Sequence, residues 1–224
     1  SVIYIELSPQ VETAAWLLNM PSNSSFSDSS AKLEDINEDF VNQLLMRHST
    51  GLQVLSVSPW AQEVGYQVST DLITVLFQEL RRLADYLVVD FPLEPSFPSM
   101  CFLAQCQILD LVLESDAICL ALAKSQLGFV KNHCDAPIIL TLVNRSGIPL
   151  ADGLQDIQKE IGYEVPVVIP SASELCYTAG IKRLPIVCFN PNSVPAMQFT
   201  QVSERILGYL TEDGSEANRD RRTL

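Results

Sequence analysis

Polar residues that directly follow short apolar runs are where chemistry is sought in this chain. Four such places stand out: YIELSPQ with Glu6, Ser8 and Gln10, YLVVDFP with Asp90, LTLVNR with Asn144 and Arg145, and VVIPSAS with Pro170 and Ser171. In an open parallel sheet, ligands bind outside the carboxyl ends of the strands, so these residues are the candidate site. An Asp fixed at the end of a buried apolar strand can hold Mg²⁺ through water beside a nucleotide's phosphates. Asp90 can equally cap the next helix or turn the chain with Pro92. Glu6 has the same pair of readings, and for it the helix-entry carboxylate, interacting with the helix dipole, is the stronger. Asn144 either meets a nucleotide or makes an Asx turn ahead of Gly147.

A phosphate cradle of the G-x-x-x-x-G-K-[ST] kind needs backbone N–H groups to wrap the phosphates and a Lys to neutralise them. None of the nine glycines is followed by Lys, and no two are five apart, so these 224 residues contain no such motif. His48 and His133 have no Ser or Cys nucleophile at a telling spacing, which speaks against a hydrolase triad. The six cysteines include no C-x-x-C pair and lie mostly in apolar segments, as reduced buried thiols do, and a metal cage is not expected. Their usage favours a cytoplasmic protein.

Fourteen Lys and Arg against twenty-seven Asp and Glu give a net charge of −13, a field that repels nucleic acid and anionic membrane surfaces. Arg81-Arg82 and Lys182-Arg183 are local exceptions, and the first pair suits a helix C-terminus better than a DNA contact. The longest apolar stretch is broken by Gln105, Gln107 and Asp110, so no membrane-spanning helix and no stable membrane insertion are expected. No secretory leader is expected either.

The elements that must position these residues follow from periodicity. Short β-branched runs alternate with helical stripes, the pattern of an α/β fold: three layers, with a mostly parallel sheet and helices on both faces. Strands are expected over 2–7, 52–57, 86–91, 117–122, 138–143, 165–169 and 185–189. Helical stripes run through Val11, Ala14, Ala15 and Leu18, through Ile36, Phe40, Leu44 and Leu45, and through Leu72, Leu76, Leu80 and Leu83. Residues 109–114 alternate like a strand, but Phe102, Cys106, Leu109 and Leu113 keep a helical stripe, and the helix is the reading chosen. A last helix spans about 194–210. Trp16 is expected in the core, and Trp60 in a loop. The Ser-rich stretch 21–30 reads as a surface loop. The whole is expected to be a single α/β domain over 1–210, with a polar tail over 211–224.

Taken in order, SVIYIELSPQVETAAWLLNMP, HSTGLQVLSVSP, YLVVDFP, ESDAICLAL, IILTLVNR and VVIPSASELCYTAGIKRLP resemble the MinD/ParA superfamily of deviant-Walker P-loop ATPases, most closely its CpaE/TadZ pilus-assembly branch. The resemblance covers nearly the whole chain. It implies a P-loop NTPase-like fold, with ATP or ADP and Mg²⁺ as cofactors. Asp90 would be the Walker B carboxylate and Glu6 would stand where the family has Asp, so these two are the implied metal residues. Ser8 replaces a second Asp of that motif. Asn144, at the position that contacts the adenine base, Arg145 beside it, and Pro170 and Ser171, on the other side of the base pocket, are the implied cofactor residues.

The chain departs from the family in beginning at what would be its second strand. The first strand, the P-loop and the first helix, on the order of 35 residues of a βα unit, are not in it. That strand lies inside the family's sheet, and its neighbours would be left with unpaired backbone groups. Upstream sequence, including that strand and a receiver-like domain, is therefore expected in the native protein, the alternative being a sheet rearranged to close the gap. The resemblance implies a homodimer and protein partners in a pilus or polar assembly, with recruitment to a membrane-associated machine. ATP hydrolysis is doubtful without the cradle. The alternatives are an active ATPase whose P-loop lies upstream, and a structural or regulatory module without a ligand.

Overall fold

The computed structural model describes residues 1–7, 13–21, 32–57, 70–93, 97–145 and 153–210. The chain forms two compact units, Ser1–Cys101 and Phe102–Leu224. The Ser-rich stretch from residue 22, the tail from residue 211, and Ser8, Gln10, Val11, Trp60 and Gly147 lie outside the described residues.

In the first unit, strand β1 (Val2–Leu7) is followed by the short helix α1 (Thr13–Leu17), a 3₁₀ turn at Leu33–Asp35 and helix α2 (Glu38–Leu44). Asn37 starts α2, its Oδ1 accepting from the Phe40 amide at 3.0 Å. Strands β2 (Met46–Arg47) and β3 (Gln53–Val57), helix α3 (Thr70–Leu83) and strand β4 (Tyr86–Asp90) complete the unit. The sheet order is β2-β3-β1-β4, parallel except for the β2–β3 pair. The two-residue β2 is too short for a periodic signal and was not expected. Gly51, at φ +92°, makes the turn between β2 and β3 that a Cβ would strain. Strand alternation places Ile3, Ile5 and Leu7 on one face of β1, all buried, as is the α3 stripe of Leu72, Ile73, Leu76, Phe77 and Leu80. On the other face, Tyr4 and Val54 pack with Ala14, Ala15 and Leu18 of the α1 region and with Met46. Arg81 and Arg82 fall in the last turn of α3, where cations complement the dipole.

The second unit opens with residues of helix α4 (Phe97–Leu103), then strand β5 (Leu109–Glu114), helix α5 (Ala117–His133), strand β6 (Ile138–Val143), helix α6 (Gly153–Ile161), strand β7 (Val167–Ile169) and helices α7 (Ser173–Ile181), α8 (Ile186–Phe189) and α9 (Val194–Leu210). Its sheet is parallel, in the order β5-β6-β7. Gly162, at φ +74°, ends α6, its amide donating to the Gln158 carbonyl at 2.8 Å.

Three assignments differ from the sequence reading. Residues 117–122 are the first turns of α5, not a strand, because Asp116 caps the helix: its Oδ1 accepts from the Ile118 amide at 3.0 Å and the Cys119 amide at 3.1 Å. Residues 109–114 are a strand, not a helix, and the alternation decides it, with Leu109, Leu111 and Leu113 buried. Residues 185–189 are not a strand: Ile186–Phe189 form a turn of helix, with Pro185 as its N-cap. Two side-chain expectations also change. Trp16 is 60% exposed rather than core. Of the cysteines, Cys176 and Cys188 are exposed and the other four half-buried.

Helices lie on both sides of mostly parallel sheets, the α/β class expected. Among the described residues β4 pairs only with β1, and β5 only with β6, so each unit ends its sheet in a strand with an open edge. Val88 of β4 is 50% exposed and Val112 of β5 is 61% exposed.

Candidate functional site

The carboxyl end of the first unit's sheet gathers Tyr4, Glu6, Ser56 and Asp90. Glu6 is aligned with Ser56 on β3 and with Asp90 on β4, and Tyr4 lies two residues earlier on the same face of β1. Glu6 is buried, and both its oxygens are engaged. Its Oε1 accepts from the Thr13 amide at 3.1 Å and the Ala14 amide at 3.3 Å, and its Oε2 from the Ala14 amide at 3.1 Å. Glu6 therefore caps α1, the helix-entry role favoured for it from sequence.

Asp90 is exposed, and its Oδ2 accepts a 2.7 Å hydrogen bond from the Tyr4 hydroxyl. Burial first, then the hydrogen bond and charge of Asp90, and lastly the charge of Glu6, push that hydroxyl far above the usual tyrosine range. Tyr4 thus stays a neutral donor, fixing a carboxylate that faces solvent. Ser56 Oγ is buried and has no hydrogen-bond partner among the described residues.

In the second unit the four candidate cofactor residues come together at the carboxyl ends of β6 and β7. The Asn144 amide donates to the Ile169 carbonyl at 2.9 Å, prolonging the β6–β7 ladder past the last paired residues. Ser171 Oγ lies 3.5 Å from the Arg145 carbonyl and 3.5 Å from Ser173 Oγ. Arg145 turns to Glu114 at the end of β5, Nη1 to Oε1 2.7 Å, and that carboxylate holds the guanidinium charged. Pro170 sits half-buried between Ile169 and Ser171, ahead of α7.

Sequence reading missed Tyr4, Ser56 and Glu114. Period-2 spacing before Glu6 could have found Tyr4, and a lone hydroxyl in the apolar run VLSV could have found Ser56. Glu114 was hidden by reading 109–114 as a helix. Among the described residues no group of three or more His, Cys, Asp or Glu could hold a metal ion, and no helix is long and apolar enough to cross a membrane. Glu6 Oε1 is filled by two amide hydrogen bonds, while Glu6 Oε2 and Asp90 Oδ2 each accept one and keep a lone pair that a metal ion could share.

No protein-family model matches the sequence, and no curated protein matches it. Solved structures do. A ParA family ATPase from Chlorobium tepidum TLS is 17% identical, with a TM-score of 0.76 over 88% of this chain and 82% of that one. The septum site-determining protein MinD of Pyrococcus horikoshii OT3, solved with Mg-ADP, is 16% identical, with a TM-score of 0.70 over 92% of this chain and 82% of that one. The MinC:MinD cell division complex of Aquifex aeolicus gives a TM-score of 0.70 at 14% identity, over 92% of this chain and 83% of that one. At such identities the likeness defines the fold alone. The fold is that of ParA- and MinD-type ATPases.

Proposed function

We propose that this ParA/MinD-fold protein acts as a CpaE/TadZ-like assembly or positioning factor for a type IV, Tad-type pilus or a similar polar machine, working through dimerisation and partner binding rather than ATP hydrolysis. The observation that carries the reading is the commitment of its two candidate metal residues. Glu6 spends both oxygens on the amides of Thr13 and Ala14, and Asp90 is held by Tyr4. Two carboxylates side by side repel a triphosphate unless a divalent cation stands between them. The 224 residues offer no G-x-x-x-x-G-K cradle to supply the missing donors. Nucleotide, if bound, is bound weakly, as ATP or ADP with Mg²⁺, with Asp90 toward the metal and Asn144, Arg145, Pro170 and Ser171 toward the base. The MinC:MinD likeness supports a protein partner, the net charge of −13 speaks against nucleic acid, and a cytoplasmic homodimer recruited to a membrane-associated machine is the working form. The test is light scattering of the full chain with and without ATP and Mg²⁺, alongside a phosphate-release assay. A dimer in both conditions without phosphate release supports the reading, and a strict monomer overturns it.

The open edge of β4, with Val88 half exposed, favours a second reading. Here a further parallel strand from outside these 224 residues pairs with β4 and brings a phosphate cradle with it, making an active ATPase. Magnesium-dependent ATP hydrolysis by a longer chain, lost in Asp90→Ala, distinguishes it.

A further inference from the structure

Cys106 and Cys134 are brought together by two loops at the amino ends of neighbouring strands. Cys106 lies in the segment that leaves α4 and enters β5, its amide donating to the Phe102 carbonyl at 3.0 Å and its thiol placed 3.3 Å from the Leu103 carbonyl. Cys134 is the C-cap of α5, its amide donating to the Val130 carbonyl at 2.8 Å. The Leu109 amide donates to the Pro137 carbonyl at 2.9 Å, which fixes the two loops side by side where β5 and β6 begin. In that frame the two sulfurs stand 3.4 Å apart, twenty-eight positions apart in sequence, and both residues are half-buried.

We propose that Cys106 and Cys134 are a modification site: a thiol pair that closes to an intramolecular disulfide on exchange with an oxidised low-molecular-weight disulfide of the glutathione class. The two sulfurs have to close from 3.4 Å to the roughly 2.05 Å of a disulfide. The site lies at the opposite end of the β5-β6-β7 sheet from Glu114, Arg145 and Ser171, so it is separate from the candidate ligand end.

The chemistry balances as two exchanges. The Cys134 thiolate attacks one sulfur of the glutathione disulfide and expels a glutathione thiolate. Cys106 then gives its proton to solvent and attacks the Cys134 sulfur of the mixed disulfide, expelling the second glutathione thiolate. Two protein thiols are oxidised and one small disulfide is reduced to two thiols. Burial, together with the hydrogen bond to Cys134, pushes the Cys106 thiol up and makes it the slower nucleophile, so its attack relies on the partner sulfur being held beside it.

The remaining four cysteines serve as internal controls. The experiment incubates the full reduced chain with oxidised glutathione, then counts free thiols and maps peptides by mass. The expected result is loss of two of the six thiols, the mass of two hydrogens removed, and one crosslink joining the Cys106 and Cys134 peptides. The thermal midpoint should rise by several degrees and fall back on adding a reductant, because the bond restrains the unfolded chain. Cys101→Ser and Cys119→Ser should leave the crosslink unchanged. Stable glutathione adducts on both Cys106 and Cys134, a crosslink that involves another cysteine, or six thiols still free would each overturn the proposal. The mapping is made on the unmodified sequence, so misfolding of a Cys106→Ser variant does not bear on it.

Discussion

Tyr4 and Asp90 are joined across the β1–β4 pair by a 2.7 Å hydrogen bond, and through it a buried strand holds a carboxylate that faces solvent. Because the fold raises the Tyr4 pKa, it stabilises the protonated hydroxyl. That contribution is complete below the ordinary tyrosine pKa, near 10, and is lost as pH rises above it, where the unfolded chain has already released its proton. Urea midpoints measured through the alkaline range should fall more steeply for the natural sequence than for Tyr4→Phe. Parallel slopes would show that Tyr4 ionises as a free tyrosine does.

Glu6 is a structural residue before it is anything else. Glu6→Ala leaves the Thr13 and Ala14 amides without their acceptor and should destabilise the chain by about 1–2 kcal/mol, the loss typical of an N-cap. Glu6→Gln keeps one acceptor oxygen and should lose less. Urea denaturation reads both, and equal losses would mean that the carboxylate charge, not its geometry, is what α1 requires.

Asp110 on β5 carries a different strain. One oxygen accepts from Thr141 Oγ1 at 3.0 Å, while Oδ1 is buried without a partner among the described residues. Burial raises its pKa and the Thr141 bond only partly offsets this, so the fold favours the protonated acid. Stability from this group is therefore full below the ordinary carboxylate range and declines as pH rises through the raised value. Asp110→Asn should be more stable than the parent at neutral pH by on the order of 1 kcal/mol, with the gap closing toward pH 4. A less stable Asn variant at pH 7 would contradict this.

Asp116 sets the boundary between β5 and α5. The Cys119 thiol and the Cys119 and Ile118 amides hold its carboxyl below the usual range, so its stabilisation exists above the unfolded pKa and disappears as pH falls through the folded one. Asp116→Ala should lower the thermal midpoint at neutral pH and converge with the parent in strong acid. A difference that persists unchanged in acid would exclude the charged cap.

Long periodic segments were legible in the sequence, and short or doubly patterned ones were not. The α3 stripe and the run of α9 were read from their spacing, and β1, β3, β4, β6 and β7 from β-branched runs, to within a residue or two at each end. LDLVLE failed because Leu109 and Leu113 satisfy both a helical and an alternating pattern, and only burial of Leu111 between them separates the two. AICLAL failed because an N-cap Asp was taken as punctuation before a strand. At the candidate site, Asn144, Arg145, Pro170 and Ser171 could be grouped from strand ends. What each strand-end residue bonds to is tertiary information: Glu6 reaches amides seven and eight positions away, and Arg145 a carboxylate thirty-one positions away.

Phosphate release from ATP by the full 224-residue chain, with Mg²⁺ present, tests the central claim most directly. A ParA/MinD fold whose two strand-end carboxylates are tied to Thr13, Ala14 and Tyr4 should release no phosphate above the buffer blank. Magnesium-dependent turnover that disappears in Asp90→Ala would contradict it.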